Sequence, residues 1–165
     1  MHPHTLSVLV ENEFGVLARV AGMFAARGYN IDSLSVAPTH DPKYSHMTIV
    51  TSGSEEIIEQ IKKQLYRLMD TIQVKDLTGS KFLQRETLLV KVNAYTVGEE
   101  TINEKDLGVV IQDFQAKCLD ESPRSKTFEL TASPEQLAQF LEKLNPFGVI
   151  EVVRTGIIAM QKGDV

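Results

Sequence analysis

Glu11-Asn12-Glu13-Phe14-Gly15-Val16-Leu17-Ala18-Arg19 joins two different periodicities, and its reading decides the fold. Before it, Leu6, Val8 and Val10 alternate with Ser7 and Leu9, the period-two pattern of a strand with one buried face. After it, apolar residues fall at 16, 17, 20, 21, 23 and 24, a helical stripe, and Gly28 supplies the left-handed stop that helices favour. A polar turn feeding a helix N-terminus leaves several backbone N–H groups unpaired at one point. Those donors and the positive end of the helix dipole suit an anionic group, a carboxylate or a phosphate.

Outward from this turn the pattern continues with a strand at 29–37, a loop at 38–44 holding Asp41-Pro42, and a strand at 46–51. Ser54 can cap a helix whose apolar face is Ile57, Ile58, Ile61, Leu65 and Leu68, and a fourth strand follows at 72–77. The order is β-α-β-β-α-β. The second half repeats it at an offset of about eighty residues: 88–92 matches the first strand, Thr51 meets Thr131, Glu55 meets Glu135, Ile57 meets Leu137 and Ile61 meets Leu141. Pro134 sits at a helix start, where proline is tolerated. The fold class expected is α+β, two tandem ferredoxin-like βαββαβ units, with domains at 1–79 and 80–165 and Gly79-Ser80-Lys81 at the boundary. At this offset Asn12 aligns with Val92 and Gly15 with Tyr95, so the second half lacks the Asn and Gly of the turn. Its first helix, at 101–115, is weakly patterned and contains Gly108.

Composition narrows the function classes. A chain of 165 residues, 42% hydrophobic and 24% charged, is ordinary for a soluble globular protein. A net charge of −5 argues against a nucleic-acid binder, and no apolar run approaches the roughly 18 residues of a membrane span. The opening residues lead into a strand without a secretory signal, and one cysteine, Cys118, excludes an internal disulfide; a cytoplasmic location is expected.

Catalytic and metal-binding motifs are missing. The chain has no Gly-x-Ser-x-Gly, no phosphate-binding Gly-rich loop ending in Lys-Ser/Thr and no His-Glu-x-x-His. His2 and His4 are read as a frayed terminus, His40 as loop and His46 as a strand start, with no metal-site spacing. Cys118 is read as a packed thiol beside Leu119, and Glu55-Glu56 and Glu99-Glu100 as acids at helix starts. The expectation is no catalytic residue and no metal site. Asn12 itself has two readings, a helix cap or part of a ligand turn. Asn30 before Ile31, an asparagine that strand propensity does not require, favours the ligand reading.

The run from Leu6 to Val20 resembles the opening of an ACT domain. With Arg27-Gly28-Tyr29-Asn30-Ile31-Asp32-Ser33-Leu34-Ser35-Val36-Ala37-Pro38-Thr39 the chain resembles the small regulatory subunits of acetolactate synthase (acetohydroxyacid synthase). Asp41-Pro42, 45–49, 60–65, 85–92 and 148–156 extend the resemblance over nearly the whole chain, 93–106 being the least typical part. It implies an N-terminal ACT domain for effector binding and dimerisation, and an ACT-like C-terminal domain that contacts the catalytic subunit. It further implies valine bound between the ACT domains of a homodimer, feedback control of branched-chain amino-acid biosynthesis, and no cofactor in this chain. Thiamine diphosphate, Mg²⁺ and FAD would belong to the catalytic partner. By motif match Asn12, Gly15, Val16 and Leu17 form the effector turn, and Asn30 and Ile31 come from the neighbouring subunit.

The chemistry of those residues agrees. Backbone N–H groups near Gly15 and Val16 can receive a carboxylate, the amides of Asn12 and Asn30 can accept from an ammonium, and Val16, Leu17 and Ile31 offer apolar surface. Valine against leucine or isoleucine is not resolved by these residues, since one methylene is worth only about 1–3 kcal/mol. Two rivals share the architecture. An acylphosphatase-like enzyme needs an arginine-bearing phosphate loop after the first strand, where this chain has Glu11 and Glu13. An amino-acid-responsive transcription regulator needs a helix-turn-helix, which the pattern does not contain.

Overall fold

The structure, a computed structural model, describes residues 2–93 and 104–163. The observed order is β1 (His2–Glu11), α1 (Val16–Ala26), β2 (Ser33–Pro38), β3 (Tyr44–Gly53), α2 (Glu55–Tyr66) and β4 (Thr71–Asp76). The second series is β5 (Phe82–Asn93), α3 (Glu104–Phe114), β6 (Lys117–Glu121), β7 (Ser125–Ala132), α4 (Pro134–Leu144), a 3₁₀ turn (Asn145–Phe147) and β8 (Val149–Arg154). A ninth strand, β9 (Ile158–Gln161), follows. Strands run in the order β2-β3-β1-β4 in one sheet and β6-β7-β5-β8 in the other, with β9 paired to β5. The α+β architecture of two βαββαβ units is therefore present.

Each unit has its own core. In the first, Leu6, Val8 and Val10 of β1 meet Val16, Val20 and Phe24 of α1 and Ile58, Ile61 and Leu65 of α2. In the second, Leu88, Val90 and Val92 meet Leu137, Phe140 and Leu144. The buried faces of α2 and α4 share one spacing, i, i+3 and i+7, so Ile58 corresponds to Leu137 and Ile61 to Phe140. This corrects the uniform offset of eighty. Residues at equivalent register or helix positions differ by 82 (Leu6 to Leu88), 81 (Ile49 to Leu130), 79 (Ile58 to Leu137) and 78 (Val74 to Val152). Connections of unequal length shift the offset, while burial of one face fixes each register. Val92 is thus the counterpart of Val10, and the counterparts of Asn12 and Gly15 become Ala94 and Val97 in sequence, outside the described residues. So do Glu99-Glu100 and the first residues of the helix expected at 101–115.

Element ends depart from expectation for local reasons. β2 starts at Ser33 instead of 29, because Asn30 Nδ2 donates to Asp32 Oδ1 and Ser52 Oγ to Asp32 Oδ2 at 2.7 Å. Such side-chain bonds compete with the sheet ladder. α1 ends in a Schellman arrangement, with Tyr29 N donating to Phe24 O (3.0 Å) and Gly28 N to Ala25 O (3.2 Å), and Gly28 lies at φ +68°.

The two second helices are capped differently. Ser133 accepts from Gln136 N while Gln136 Oε1 accepts from Ser133 N, a full capping box. Ser54 occupies the same position, but its hydroxyl donates to Glu56 Oε2 at 2.7 Å and caps no backbone N–H. Ser133→Ala is therefore expected to cost about 1 kcal/mol in urea unfolding, and Ser54→Ala a small fraction of that. Equal losses would contradict the assignment.

The chain divides into Met1–Gln84 with Gly156–Val165, and Arg85–Thr155. By its contacts the segment after β8 groups with the first unit, with β9 paired to β5. Among the described residues no helix is long and apolar enough to cross a membrane.

Candidate functional site

Gly15 is the N-cap of α1 and lies at φ +82°, a left-handed conformation that L side chains rarely adopt. No side chain caps this helix. Asn12 is not the cap: its Nδ2 donates to Pro42 O (2.9 Å) and its Oδ1 accepts from Ser45 Oγ (3.0 Å). Its own N–H donates to Lys43 O at 2.7 Å. Asn12 thus rivets the turn to the β2–β3 connection, which fixes where the helix opens. Arg19 N returns to Gly15 O at 2.9 Å, and Val16 N makes only a long contact, 3.4 Å, to Glu13 O. Among the described residues the N–H groups of Leu17 and Ala18 have no acceptor within the protein.

Val16 is buried in the first core, so its side chain is structural while its backbone borders the turn. Leu17 is half exposed and Phe14, on the turn itself, is 99% exposed. Arg19 Nε donates to Asp70 Oδ2 at 2.7 Å. That bond holds the Asp70 carboxyl below its ordinary range and raises the guanidinium above its own. A Cβ placed on Gly15 would lie 3.0 Å from Arg19 Nη1, so the guanidinium stands over the turn. Asp70 O also accepts from Glu11 N at 2.9 Å, tying the α2–β4 connection to the end of β1. A cation beside open amide donors makes this turn an anion-accepting place, although Glu11 and Glu13 flank it.

Asn30 and Ile31 lie elsewhere in the unit. Asn30 O accepts from Thr51 Oγ1 at 2.6 Å, and Ile31 packs half-buried against the first core. Thr51 pairs with His4 at one end of β3, whereas Asn12 meets Lys43 just beyond the other end. Eight residues of strand separate these levels, roughly 25 Å at the usual rise. The six expected residues therefore form two groups, Asn12, Gly15, Val16 and Leu17 at one end of the sheet and Asn30 and Ile31 at the other. One chain does not bring them to a common ligand. Arg19, Asp70 and Ser45 are the residues that sequence reading left without a role here; only Arg19 carried a local signal, one helical turn beyond Gly15.

Other candidates resolve more simply. His4 is buried in β1, not frayed, with Nδ1 3.3 Å from Asp76 Oδ2. Burial pushes the Asp76 carboxyl up, but hydrogen bonds from Thr78 and the contact with His4 outweigh it and lower its pKa. His46 Nε2 is 2.8 Å from Ser7 Oγ, and burial lowers its pKa. Cys118 is exposed, not packed, because all of edge strand β6 is exposed. Among the described residues no group of three or more His, Cys, Asp or Glu side chains could hold a metal ion.

Comparison with known proteins accounts for both units at once. Residues 6–73 match the family model described as the AHAS small subunit-like ACT domain, and 85–163 match that of the small subunit of acetolactate synthase. The chain is 41% identical over 160 residues to the acetolactate synthase isozyme 3 small subunit of Salmonella typhimurium, covering 96% of this chain and 95% of that one. It is 42% identical over 159 residues to the acetolactate synthase small subunit of Aquifex aeolicus, covering 96% and 81%. The crystal structure of the small subunit from Thermotoga maritima superposes with a TM-score of 0.87 at 32% identity, covering both chains fully. With matches that extend through both cores and both units, the chain belongs to the acetolactate synthase small subunit family.

Proposed function

We propose that this chain is the regulatory subunit of an acetolactate synthase, raising the activity of the catalytic chain and conferring feedback inhibition by valine. The observation that carries the effector reading is the Gly15-capped opening of α1, with two amide donors beside Arg19. Free valine offers a carboxylate for those donors, an ammonium for asparagine oxygens, and an isopropyl group for Leu17 and Ile31.

The separation of the two residue groups supports a homodimer formed through the first units. Antiparallel association places the Asn12–Leu17 end of one copy against the Asn30–Ile31 end of the other, so each ligand is held by both chains. A ligand that bridges two copies favours the packing it fits better, which is how binding becomes a signal. The coupling between such sites is typically about 1–3 kcal/mol.

In this reading the second unit docks the catalytic chain. Its exposed edge strand β8 carries Ile150, Val152 and Val153, and β6 carries Leu119, apolar surface of the kind that partners cover. The reaction, a pyruvate condensation with thiamine diphosphate, Mg²⁺ and FAD, belongs to that partner, and the assembly is cytoplasmic.

Calorimetric titration of the purified chain with valine, leucine and isoleucine, beside co-purification with the catalytic chain, tests this. Saturable valine binding and a stable complex are expected. Absence of binding by all three amino acids would remove the effector reading, and absence of a complex would remove the docking one.

A further inference from the structure

The segment after β8, Gly156-Ile157-Ile158-Ala159-Met160-Gln161, lies on the sheet face of the first unit that the helices leave uncovered. On that face Thr5, Ser7 and Leu9 pair with Val50, Thr48 and His46, opposite in parity to the core residues Leu6, Val8 and Val10. Thr48 and Val50 nevertheless are buried. The strap reaches this face: Ala159 is buried and its N–H meets Thr48 Oγ1 at 3.3 Å, while the larger Ile158 and Met160 are exposed. Lys162 N donates to Lys81 O at 2.8 Å. The strap's first contacts fall on β2, where Ile157 N donates to Ser33 Oγ at 3.0 Å. Gly156 lies at φ +81°, and a Cβ there would stand 3.0 Å from Leu34 O and 3.1 Å from Ser33 Oγ. Backbone strain and lack of room both demand glycine at this approach.

Ser33 is three residues from Asn30. The intervening chain is irregular, and its bonds to the rest of the unit run to β3: Thr51 Oγ1 to Asn30 O, Ser52 Oγ to Asp32 Oδ2 and Asp32 N to Val50 O (2.8 Å). We propose that the strap 156–161 is a positioning element of the effector site, fixing the segment 30–34 that presents Asn30 and Ile31. The proposal rests on the effector reading of those two residues. Thr155 closes the second unit and Gly156 opens the strap, so the joint 155/156 is one of two places where the chain passes between units, the other being 84/85.

Full-length Gly156→Ala and Ser33→Ala test this by hydrogen exchange and valine titration. Ser33→Ala removes only the acceptor for Ile157 N–H, so it keeps the test sound if Gly156→Ala misfolds. Without any amino acid, exchange within 30–34 is expected to accelerate in both variants while the α4 amides are unchanged. The valine dissociation constant is expected to rise about tenfold, near the low end for coupled sites. Unaltered exchange at 30–34 in the folded variants overturns the proposal, as does loosening there with unaltered valine affinity. If the wild type binds no valine, the effector reading fails, and with it the site the strap is said to serve; the exchange result still decides whether the strap fixes 30–34.

Discussion

Gly15→Asp is expected to weaken valine binding by about a hundredfold or more while the chain stays folded. Hydrogen bonds to a charged group contribute about 1.5–3 kcal/mol each, and losing about 3 kcal/mol is roughly a hundredfold in affinity. The new carboxylate would stand where the proposed effector's carboxylate would be received, taking the Leu17 and Ala18 donors and the Arg19 guanidinium for itself. Its cost to the fold is small. Aspartate tolerates the left-handed region better than most residues, at about 1–2 kcal/mol, and a carboxylate at a helix N-terminus recovers part of that. The atom its Cβ approaches at 3.0 Å is the mobile end of Arg19, which can swing aside. Gly15→Ala serves as control, sharing the strain but not the charge, and should lose much less affinity. Calorimetry on both variants, with circular dichroism to confirm folding, checks the expectation; equal affinity for wild type and Gly15→Asp would exclude the turn as the carboxylate site.

The largest loss of stability is expected from Phe24→Ala, about 3–5 kcal/mol in urea unfolding. Phe24 is 1% exposed in the first core. Its ring meets Tyr29 edge-on at 6.3 Å, and its carbonyl accepts the Tyr29 N–H that closes α1. Tyr29 OH in turn donates to Gln60 Oε1 on α2 at 3.0 Å. Truncation therefore empties the core and loosens the chain just before Asn30. Against a total stability of about 5–15 kcal/mol for an ordinary domain, this is a large fraction. A loss below about 1 kcal/mol would show that the first core closes around the cavity. Reduced protection is expected first at 29–31 and in α1.

Much of the fold was legible because its signals are local. The alternation of Leu6, Val8 and Val10, the stripe from Val16 to Phe24 and the stop at Gly28 each follow from one element's periodicity. The repeat was legible for the same reason, but its register was not. Ile57 and Ile58 carry the same hydrophobicity and lie only about 100° apart on the helix, so burial alone singles out Ile58, 1% exposed, as the counterpart of Leu137, while Ile57 is only partly buried. Cys118 and His4 were misplaced because an edge strand and a central strand start look alike in a short window.

Two βαββαβ units, the glycine at the opening of α1 and the residues of the turn follow from local sequence, because periodicity and backbone conformation are written within a few neighbouring residues. What those residues do for one another depends on how the chain folds back on itself. The tertiary structure turned Asn12 from a cap into a rivet on the β2–β3 connection, set Arg19 over Gly15 through Asp70, and separated Asn30 from the turn by the length of a strand. It also paired β9 with β5 and brought the segment after β8 into contact with Ser33 and Thr48. These depend on sheet order and on hydrogen bonds between residues thirty to a hundred and twenty positions apart, which no local pattern encodes.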